Sequence, residues 1–307
     1  MTEGCDGIRD DAPLASLVIP AWNRVATIGR AVRSVLRQTE PNLQVIVVDN
    51  GSTDRTVAAV EVLDDPRVLL VRSESNLGPS AGRNLGSAHA TAPLLGFLDS
   101  DDELDERWVE LLSTALSGDP SAVFVSCGYR VLPIDGSGPY DMTPTPLGPA
   151  HYGARGAIQA GTFLVRTSTF RALGGYVDEL RFGENTEFGL RVARHCHQRG
   201  SRMVALNDPL LRWHQGSWGR YGEAVEARYE SAEYMLANFR DQLSLDPVLL
   251  AAHFTLAGVY RARNGDLAVA RRHLRRAALT DPSVRRYARA LAAWVPPVSA
   301  RLWPTRT

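Results

Sequence analysis

Short apolar runs alternate with amphipathic segments through the first hundred residues. The apolar runs lie at residues 16–20, 43–48, 68–71 and 93–98. Their lengths, and the polar turns that bound them, are typical of strands buried in a parallel sheet. Between the first two runs, residues 27–38 have the apolar spacing of a helix that packs against such a sheet. Strand and helix alternate four times, which predicts an α/β domain with right-handed crossovers.

A group of acidic residues follows the fourth predicted strand. Asp99, Asp101 and Asp102 come directly after the run 93–98, with Glu103 next in the chain, so the three aspartates should emerge at the carboxyl edge of the sheet, where open α/β proteins bind ligands. Neighbouring carboxylates repel one another, and a cation is the usual means of keeping them together. Oxygen ligands without Cys or His favour Mg²⁺ or Mn²⁺. The alternative is a solvated acidic turn before the next helix.

Composition is that of an ordinary globular protein. The 307 residues are 44% hydrophobic with a net charge of +0, which gives no reason to expect a nucleic-acid partner. The three cysteines, Cys5, Cys127 and Cys196, lack metal spacing and favour a reducing compartment. No secretory signal and no apolar run of roughly 20 residues is found. We expect a soluble, cytoplasmic protein; peripheral contact with the inner membrane face stays open.

The segment after the first predicted strand excludes a dinucleotide-binding fold. A G-x-G-x-x-G turn is required there, but the sequence continues Ile19-Pro20-Ala21-Trp22-Asn23. A Walker-type loop, which ends in Gly-Lys-Ser/Thr, is excluded as well, because the chain contains no lysine.

Four motifs follow the predicted strands in order. They are Val18–Arg24, Val47–Asp54, Asn76–Asn84 and Phe97–Asp102. Each is weak alone, but together they resemble the family 2 glycosyltransferases over residues 14–220. The resemblance implies the GT-A nucleotide-diphospho-sugar transferase fold, an α/β fold with a Rossmann-like, mostly parallel sheet flanked by helices.

The resemblance assigns the donor nucleotide to the ends of the first strands. Family members hold the base and ribose with the loop after the first strand and the Asp after the second, which here implies Pro20, Asn23, Arg24, Asp49, Asn50 and Ser52. Backbone amides around Gly78, with Asn76 and Arg83, would face the diphosphate. The alternatives are a simple turn and cap at residues 49–52, and for Arg83 a surface ion pair within its own helix.

The same resemblance assigns Mn²⁺ or Mg²⁺ to the acidic group. Asp101 is the first choice of ligand, with Asp102; Asp99 binds the metal or touches the ribose. His214, in a segment that resembles the family's closing strand, is a further candidate for the metal or a phosphate, or a partly buried structural histidine. A cation on the diphosphate stabilises the charge that develops as the sugar–phosphate bond breaks.

The acceptor side departs from the family pattern at one position. Family members usually have Glu-Asp where this sequence has Glu184-Asn185, and that Asp is the base of an inverting transfer. Asn cannot accept a proton. Glu184 and Glu187 share one helix face and are the remaining candidates; Glu184 is preferred because Glu187 can pair with Arg191.

Three further segments complete the predicted acceptor side. Residues 157–165 resemble the family strand beneath the acceptor, and residues 168–176 resemble the helix and turn that follow. The Pro/Gly-rich stretch 133–153 is predicted to be a long mobile loop that orders over the substrate.

From residue 221 the pattern predicts helices only. Residues 250–281 resemble one tetratricopeptide helix pair, fewer than the roughly three repeats that such arrays need for independent stability. The predicted division is a flexible N-terminus (1–13), a GT-A domain (14–220) and an all-α extension (221–307). The extension would pack on the transferase domain, or form a homodimer or partner surface. Its arginines form a solvated face or a phospholipid-binding surface.

These observations predict a metal-dependent, inverting glycosyltransferase. By family habit the donor is a UDP-sugar, with a dTDP-sugar second; the acceptor hydroxyl belongs to a saccharide, lipid, peptide or small natural product. A nucleotidyl transferase is disfavoured by the missing Gly-rich first loop and lysines. Asn185 keeps a different class open, a catalytically degenerate nucleotide-binding scaffold that acts through its helical tail.

Overall fold

The computed structural model describes residues 12–215 and 221–294. The chain forms two compact units. The first comprises residues up to 145, 155–179 and 195–217; the second comprises 146–154, 180–194 and the chain from 218 onward. Most of the predicted flexible N-terminus and the predicted domain boundary at 220 lie outside the described residues, and that division stays a prediction.

The first unit is built on strands flanked by helices. Its strands are β1 (Ala15–Ala21), β2 (Leu43–Asn50), β3 (Val68–Ser73), β4 (Leu94–Phe97), β5 (Glu103–Leu104), β6 (Ala122–Leu132), β7 (Tyr140–Met142), β8 (Thr145–Pro146, which reaches the second unit), β9 (Arg155–Gly156), β10 (Phe163–Arg166) and β11 (Arg202–His214). Its helices are α1 (Ile28–Leu36), α2 (Thr56–Glu61), α3 (Pro79–Ala88), α4 (Trp108–Gly118), α5 (Thr167–Ala172) and the end of α6 (Glu184–Arg199).

The main sheet joins a parallel half to a mixed half. Over the described residues its strand order is β3-β2-β1-β4-β10-β6-β11-β5, with β7 paired to β6. Strands β1 to β4 are mutually parallel, which confirms the predicted α/β arrangement. Strand β10 then runs antiparallel between β4 and β6. Because parallel strands end at one edge, the loops after β1, β2 and β4 meet there.

Helix α1 packs against strands β1 and β2 beneath this edge. Leu17 and Ile19 of β1 and Val45 of β2 are fully buried, and they share one core with Ile28 and Val32 of α1. Each such side chain contributes about 1.5–3 kcal/mol of burial free energy. The runs 16–20, 43–48 and 93–98 therefore form buried strands, as predicted. The run 68–71 forms β3 at the edge of the sheet, where it is only partly buried and Leu69 is 40% exposed.

Two segments of the predicted acceptor side differ from expectation. The stretch 133–153 contains strand β7, which pairs with the long strand β6, so it is not a structureless loop. The predicted strand 157–165 begins only at Phe163, because Gly161 has a φ of +83°. The Thr162 hydroxyl also lies 2.8 Å from the Gln159 carbonyl and closes a turn. Helix α5 confirms the helix predicted next.

The second unit is mainly helical. It holds a short 3₁₀ turn (Pro149–His151), most of α6, and helices α7 (Tyr221–Asn238), α8 (Arg240–Leu243), α9 (Pro247–Arg263), α10 (Leu267–Thr280) and α11 (Val284–Ala292). Side chains of Asp246, Asp266 and Ser283 cap α9, α10 and α11. This confirms the predicted all-helical end; its likeness to a tetratricopeptide pair stays a prediction. Across the described part of the chain, no helix has the length and apolar character to cross a membrane.

The packing of α3 on the sheet yields a stability prediction. A Cβ on Gly86 would overlap Val18 Cγ1 and lie 2.9 Å from Val48 Cγ2, so Gly86→Ala should lower the free energy of unfolding by about 1–3 kcal/mol. Gly118→Ala is the matched control, because a Cβ there meets nothing within 4 Å. Urea denaturation of both variants measures the difference; equal midpoints would contradict this packing.

Candidate functional site

The loop after β1 is tied to the turn after β2. The Asn23 N–H donates to Ser52 Oγ at 3.0 Å, and Asn23 Oδ1 accepts from the Thr53 N–H at 2.8 Å. The Arg24 N–H donates to Thr56 Oγ1 at 2.7 Å. Asn23 has a φ of 54°, in the left-handed region that Asn tolerates better than most residues. These bonds make the two loops one wall at the edge of the sheet.

Asp49 and Asn50 end β2 and are buried. Asp49 Oδ1 accepts from the Ser52 N–H at 3.2 Å, which fixes the turn. Asn50 Nδ2 donates to the Gly78 carbonyl at 2.9 Å, while its Oδ1 accepts from the Leu77 N–H at 3.1 Å. Asn50 therefore clamps the loop before α3 to the end of β2.

Gly78 is the N-cap residue directly before α3, at the same edge of the sheet. Its φ of 89° is open to glycine, and its N–H donates to Asn76 Oδ1 at 2.9 Å. A Cβ at Gly82, one turn into α3, would lie 3.5 Å from the Pro20 Cβ and 3.2 Å from Asn50 Nδ2. The start of α3 is thus seated directly against the ends of β1 and β2.

Arg83 joins α3 to the end of β4. It is only 3% exposed, and its Nη2 donates to Asp99 Oδ1 at 2.6 Å. Its guanidinium carbon lies 5.6 Å from the centre of the Tyr176 ring. The alternative of a surface arginine paired within its own helix is therefore wrong.

Asp102 is the buried member of the acidic group. Its Oδ1 accepts from the His214 backbone N–H at 2.9 Å. Burial, reinforced by the charges of Asp99 and Asp101, raises the pKa of Asp102 to about 9. Burial therefore favours the protonated form of Asp102 when no cation is bound, and its hydrogen bond ties β11 to the turn after β4.

Two residues that sequence reasoning left unassigned organise the rest of the group. Arg30 of α1 donates from Nη2 to the Asp101 carbonyl at 2.6 Å, and its Nε lies 3.4 Å from Glu103 Oε1. The His214 Nε2 lies 2.8 Å from the same Glu103 oxygen. Arg24 Nε is 3.9 Å from Asp101 Oδ2. One signal in the sequence pointed to Glu103, its position beside the three aspartates. Nothing in the sequence pointed to Arg30.

The oxygen ligands of the acidic group suit a cation whose coordination is completed by phosphate oxygens better than one bound by protein side chains alone. Over the described residues, no cluster of three or more His, Cys, Asp or Glu is arranged to hold a metal. Asp102 is buried and accepts from a backbone N–H, so its role as a metal ligand stays a prediction, and Asp99 accepts from Arg83. Mg²⁺ and Mn²⁺ need only one or two carboxylates when phosphate oxygens complete the shell. Asp101, with Asp99, satisfies that requirement.

The two candidate bases at the start of α6 have different surroundings. Glu187 is fully buried, and both of its carboxylate oxygens accept from Arg191 at 2.6 Å. The Glu187–Arg191 pair weighed from the sequence is therefore present. Glu184 is 8% exposed, and its Oε1 accepts from Asn185 Nδ2 at 3.1 Å. These residues belong to the second unit, whereas the donor-side residues belong to the first.

Known proteins resemble part of this chain in sequence. The family model described as Glycosyl transferase family 2 matches residues 16–171. The succinoglycan biosynthesis protein ExoO of Rhizobium meliloti (strain 1021) is 41% identical over 93 residues, 30% of this chain and 27% of that protein. The validoxylamine A glucosyltransferase of Streptomyces hygroscopicus subsp. jinggangensis (strain 5008) is 34% identical over 128 residues, 40% of this chain and 30% of that protein. The first five curated relatives are matched over 16–37% of their own length.

Solved structures resemble the fold over nearly the whole chain. S. aureus TarS 1–349 in complex with UDP-GlcNAc has a TM-score of 0.67 at 16% identity, covering 95% of this chain and 92% of that one. The mannosyltransferase PcManGT of Pyrobaculum calidifontis, solved with GDP-Man and Mn²⁺, has a TM-score of 0.58 at 19% identity, covering 97% and 85%. These likenesses show the GT-A fold. Because the family model covers half of the chain and includes all four strand-end motifs, the chain belongs to glycosyl transferase family 2.

Proposed function

We propose that this protein transfers a glycosyl group from a nucleoside-diphosphate sugar to an acceptor hydroxyl. The observation that carries the proposal is the clamped sheet edge, where the ends of β1, β2 and β4 and the start of α3 are joined by side-chain hydrogen bonds. Such an edge is the usual ligand site of an open α/β sheet. Its prearranged polar groups would bind a nucleotide without a large ordering cost.

On this proposal the base and ribose lie between the loops after β1 and β2. The wall formed by Pro20, Asn23 and Arg24 would flank the base, and Asp49 would accept from a pyrimidine ring N–H. Asn50 and Ser52 would act mainly by holding the loops in place, since their side chains already bind backbone groups. A UDP-sugar is the first choice and a dTDP-sugar the second. The TarS neighbour, solved with UDP-GlcNAc, supports the uridine choice, and the PcManGT neighbour, solved with GDP-Man, is the counterexample.

The diphosphate would lie at the start of α3 and beside the acidic group. Backbone N–H groups at a helix start attract an anion, and the loop there, with Asn76 and Gly78, is already fixed by Asn50. Asp101, with Asp99, would hold Mg²⁺ or Mn²⁺; when bound, the ion would stabilise the negative charge of the departing diphosphate. Arg83 would support Asp99, while His214 as a metal ligand stays a prediction because its ring nitrogen faces Glu103.

The transfer itself would invert the sugar carbon. The acceptor hydroxyl gives its proton to a carboxylate as its oxygen bonds to C1, and the C1–O bond to the diphosphate breaks with both electrons leaving on the diphosphate oxygen. We assign the proton to Glu184, since the carboxylate of Glu187 is occupied by Arg191. A general base must come within hydrogen-bond distance of the acceptor hydroxyl.

A degenerate scaffold is the second candidate. Asn185 favours it, because an amide stands where related enzymes usually have the catalytic Asp. Such a protein would bind the donor at the same edge and would not turn it over. Binding alone therefore supports the donor site, and turnover separates the two candidates.

Thermal stability against a nucleotide panel tests the donor site. UDP, dTDP, GDP and CDP and their sugars are each added with and without Mn²⁺, with ADP as the control nucleotide. A ligand that binds only the folded protein adds about 2.7 kcal/mol at a hundredfold excess over its dissociation constant. We expect the largest rise in melting temperature with a uridine nucleotide and Mn²⁺. Equal melting temperatures with every nucleotide would contradict the donor assignment.

A further inference from the structure

Helix α11 presents an apolar stripe to solvent. Val284, Tyr287, Leu291 and Trp294 follow at intervals of three and four residues, which places them along one side of the helix and the turn after it. They are 87%, 46%, 68% and 63% exposed. Ala293, directed away from the stripe, is fully buried in the core shared with α10. Single exposed apolar side chains are ordinary, whereas an aligned set on one helix marks a contact surface.

Arginines are concentrated in α10 and α11, the last two described helices. Residues 267–294 contain seven arginines and one aspartate, a formal charge of +6 in a chain whose net charge is +0. The aspartate, Asp281, is already paired with Arg286. The guanidinium carbon of Arg271 lies 4.6 Å from the centre of the Trp294 ring, and its Nε donates to the Ala293 carbonyl at 2.9 Å. Five of the arginines are exposed: Arg272, Arg275, Arg276, Arg285 and Arg289.

We propose that the surface of α10 and α11 binds an anionic phospholipid bilayer, with the α11 stripe in the interface. A helix with an apolar stripe and an arginine-rich polar side lies in the plane of a membrane surface. Trp and Tyr prefer the headgroup level, and the stripe ends in Trp294 and includes Tyr287. Each exposed arginine gains from the negative potential of anionic lipid.

Charge complementarity decides between a bilayer and a second copy of this chain. Two copies joined through this surface would bring together two segments that each carry +6, which opposes a symmetric dimer. An anionic bilayer supplies the opposite charge over the whole area and an apolar layer for the stripe. The proposal is independent of the donor site, since every residue that carries it lies on α10, on α11 or in the turn after α11.

Vesicle flotation with the full chain tests the proposal. We expect binding to vesicles of phosphatidylglycerol and phosphatidylcholine, little binding to phosphatidylcholine alone, and release by added salt. Leu291→Ser/Trp294→Ser and Arg285→Gln/Arg289→Gln should each weaken partitioning by more than about tenfold. Val62→Ser/Arg72→Gln is the matched control, because Val62 is 80% exposed and Arg72 is exposed elsewhere on the surface. Circular dichroism and melting temperature establish that each variant folds.

Four results would overturn the proposal. The first is wild-type protein that stays unbound with anionic vesicles at low salt. The second is binding that survives in both test variants or is lost equally in the control. The third is a dimer in solution that Leu291→Ser/Trp294→Ser dissociates, with no vesicle binding, which would make the stripe an interface between copies. The fourth is vesicle binding that appears only when residues 295–307 are removed, which would assign the stripe to that segment.

Discussion

Asp101→Asn is expected to reduce glycosyl transfer by about 10²–10³-fold, the usual cost of removing one group that stabilises developing charge. Asp101 is the carboxylate of the acidic group that is best placed to serve a diphosphate-bound cation, because Asp99 is held by Arg83, and Asp102 is buried and accepts from the His214 backbone N–H. The loss should fall on kcat/KM for the sugar nucleotide. The rise in melting temperature with nucleotide plus Mn²⁺ should shrink to the value seen without metal.

The fold should survive this change. The Asp101 backbone carbonyl, which accepts from Arg30, is retained in the variant. The side chain is 3.9 Å from a partly exposed Arg24, a pair worth at most about 1 kcal/mol. Asp64→Asn, in an exposed turn of the same unit, is the control and should keep full activity, since Asn tolerates the φ of 43° at this position. Wild-type kinetics and an unchanged Mn²⁺ response in Asp101→Asn would exclude Asp101 as the cation ligand.

Glu184→Gln and Glu187→Gln are expected to lose different properties, turnover in the first and folding stability in the second. Glu184→Gln removes the proposed base, so kcat should fall by about 10²–10⁴-fold while nucleotide binding and melting temperature stay near the wild-type values. Glu187→Gln breaks a buried bidentate pair with Arg191, and the free energy of unfolding should fall by about 3 kcal/mol. Glu187 is thus a residue that holds the start of α6.

Asn185→Asp provides a rescue in the same helix turn. Introduced into Glu184→Gln, it returns the carboxylate that related enzymes carry, and part of the lost turnover should be recovered. Kinetics and urea denaturation of all three variants separate the roles. Full turnover in Glu184→Gln combined with a loss of kcat in a stably folded Glu187→Gln would reverse the assignment.

The parallel half of the fold was predictable because its signals are local. Strands β1 and β2 are short apolar runs buried on both faces, and each ends in a polar turn, so sequence pattern alone placed Asn23, Asp49 and Asp101 at strand ends. The antiparallel position of β10 between β4 and β6 was not predictable, because no local pattern fixes the order of distant strands in a sheet. The β7 pairing was missed for the same reason.

The candidate site, like the fold, was predictable from the sequence only in part. The types of residue at each strand end were predictable, but their partners were not. Arg30 bonds to the Asp101 carbonyl across 71 residues, and His214 meets Glu103 across 111. Such contacts depend on tertiary geometry. The burial of Asp102 is also invisible in the sequence of acidic residues from 99 to 103. Resemblance alone ranks Asp101 first among the ligands, whereas the surroundings of each carboxylate are what distinguish them in the structure.

Release of nucleoside diphosphate is the most direct measurement of the central claim. The sugar nucleotide that stabilises the protein most is incubated with Mn²⁺ and a mixture of saccharide, lipid and peptide acceptors, and diphosphate release and sugar incorporation are followed for the wild type, Asp101→Asn and Asp64→Asn. The account predicts acceptor-dependent release by the wild type and Asp64→Asn, and about 10²–10³-fold less by Asp101→Asn. Tight donor binding without release or incorporation for any acceptor class would contradict it and favour the scaffold.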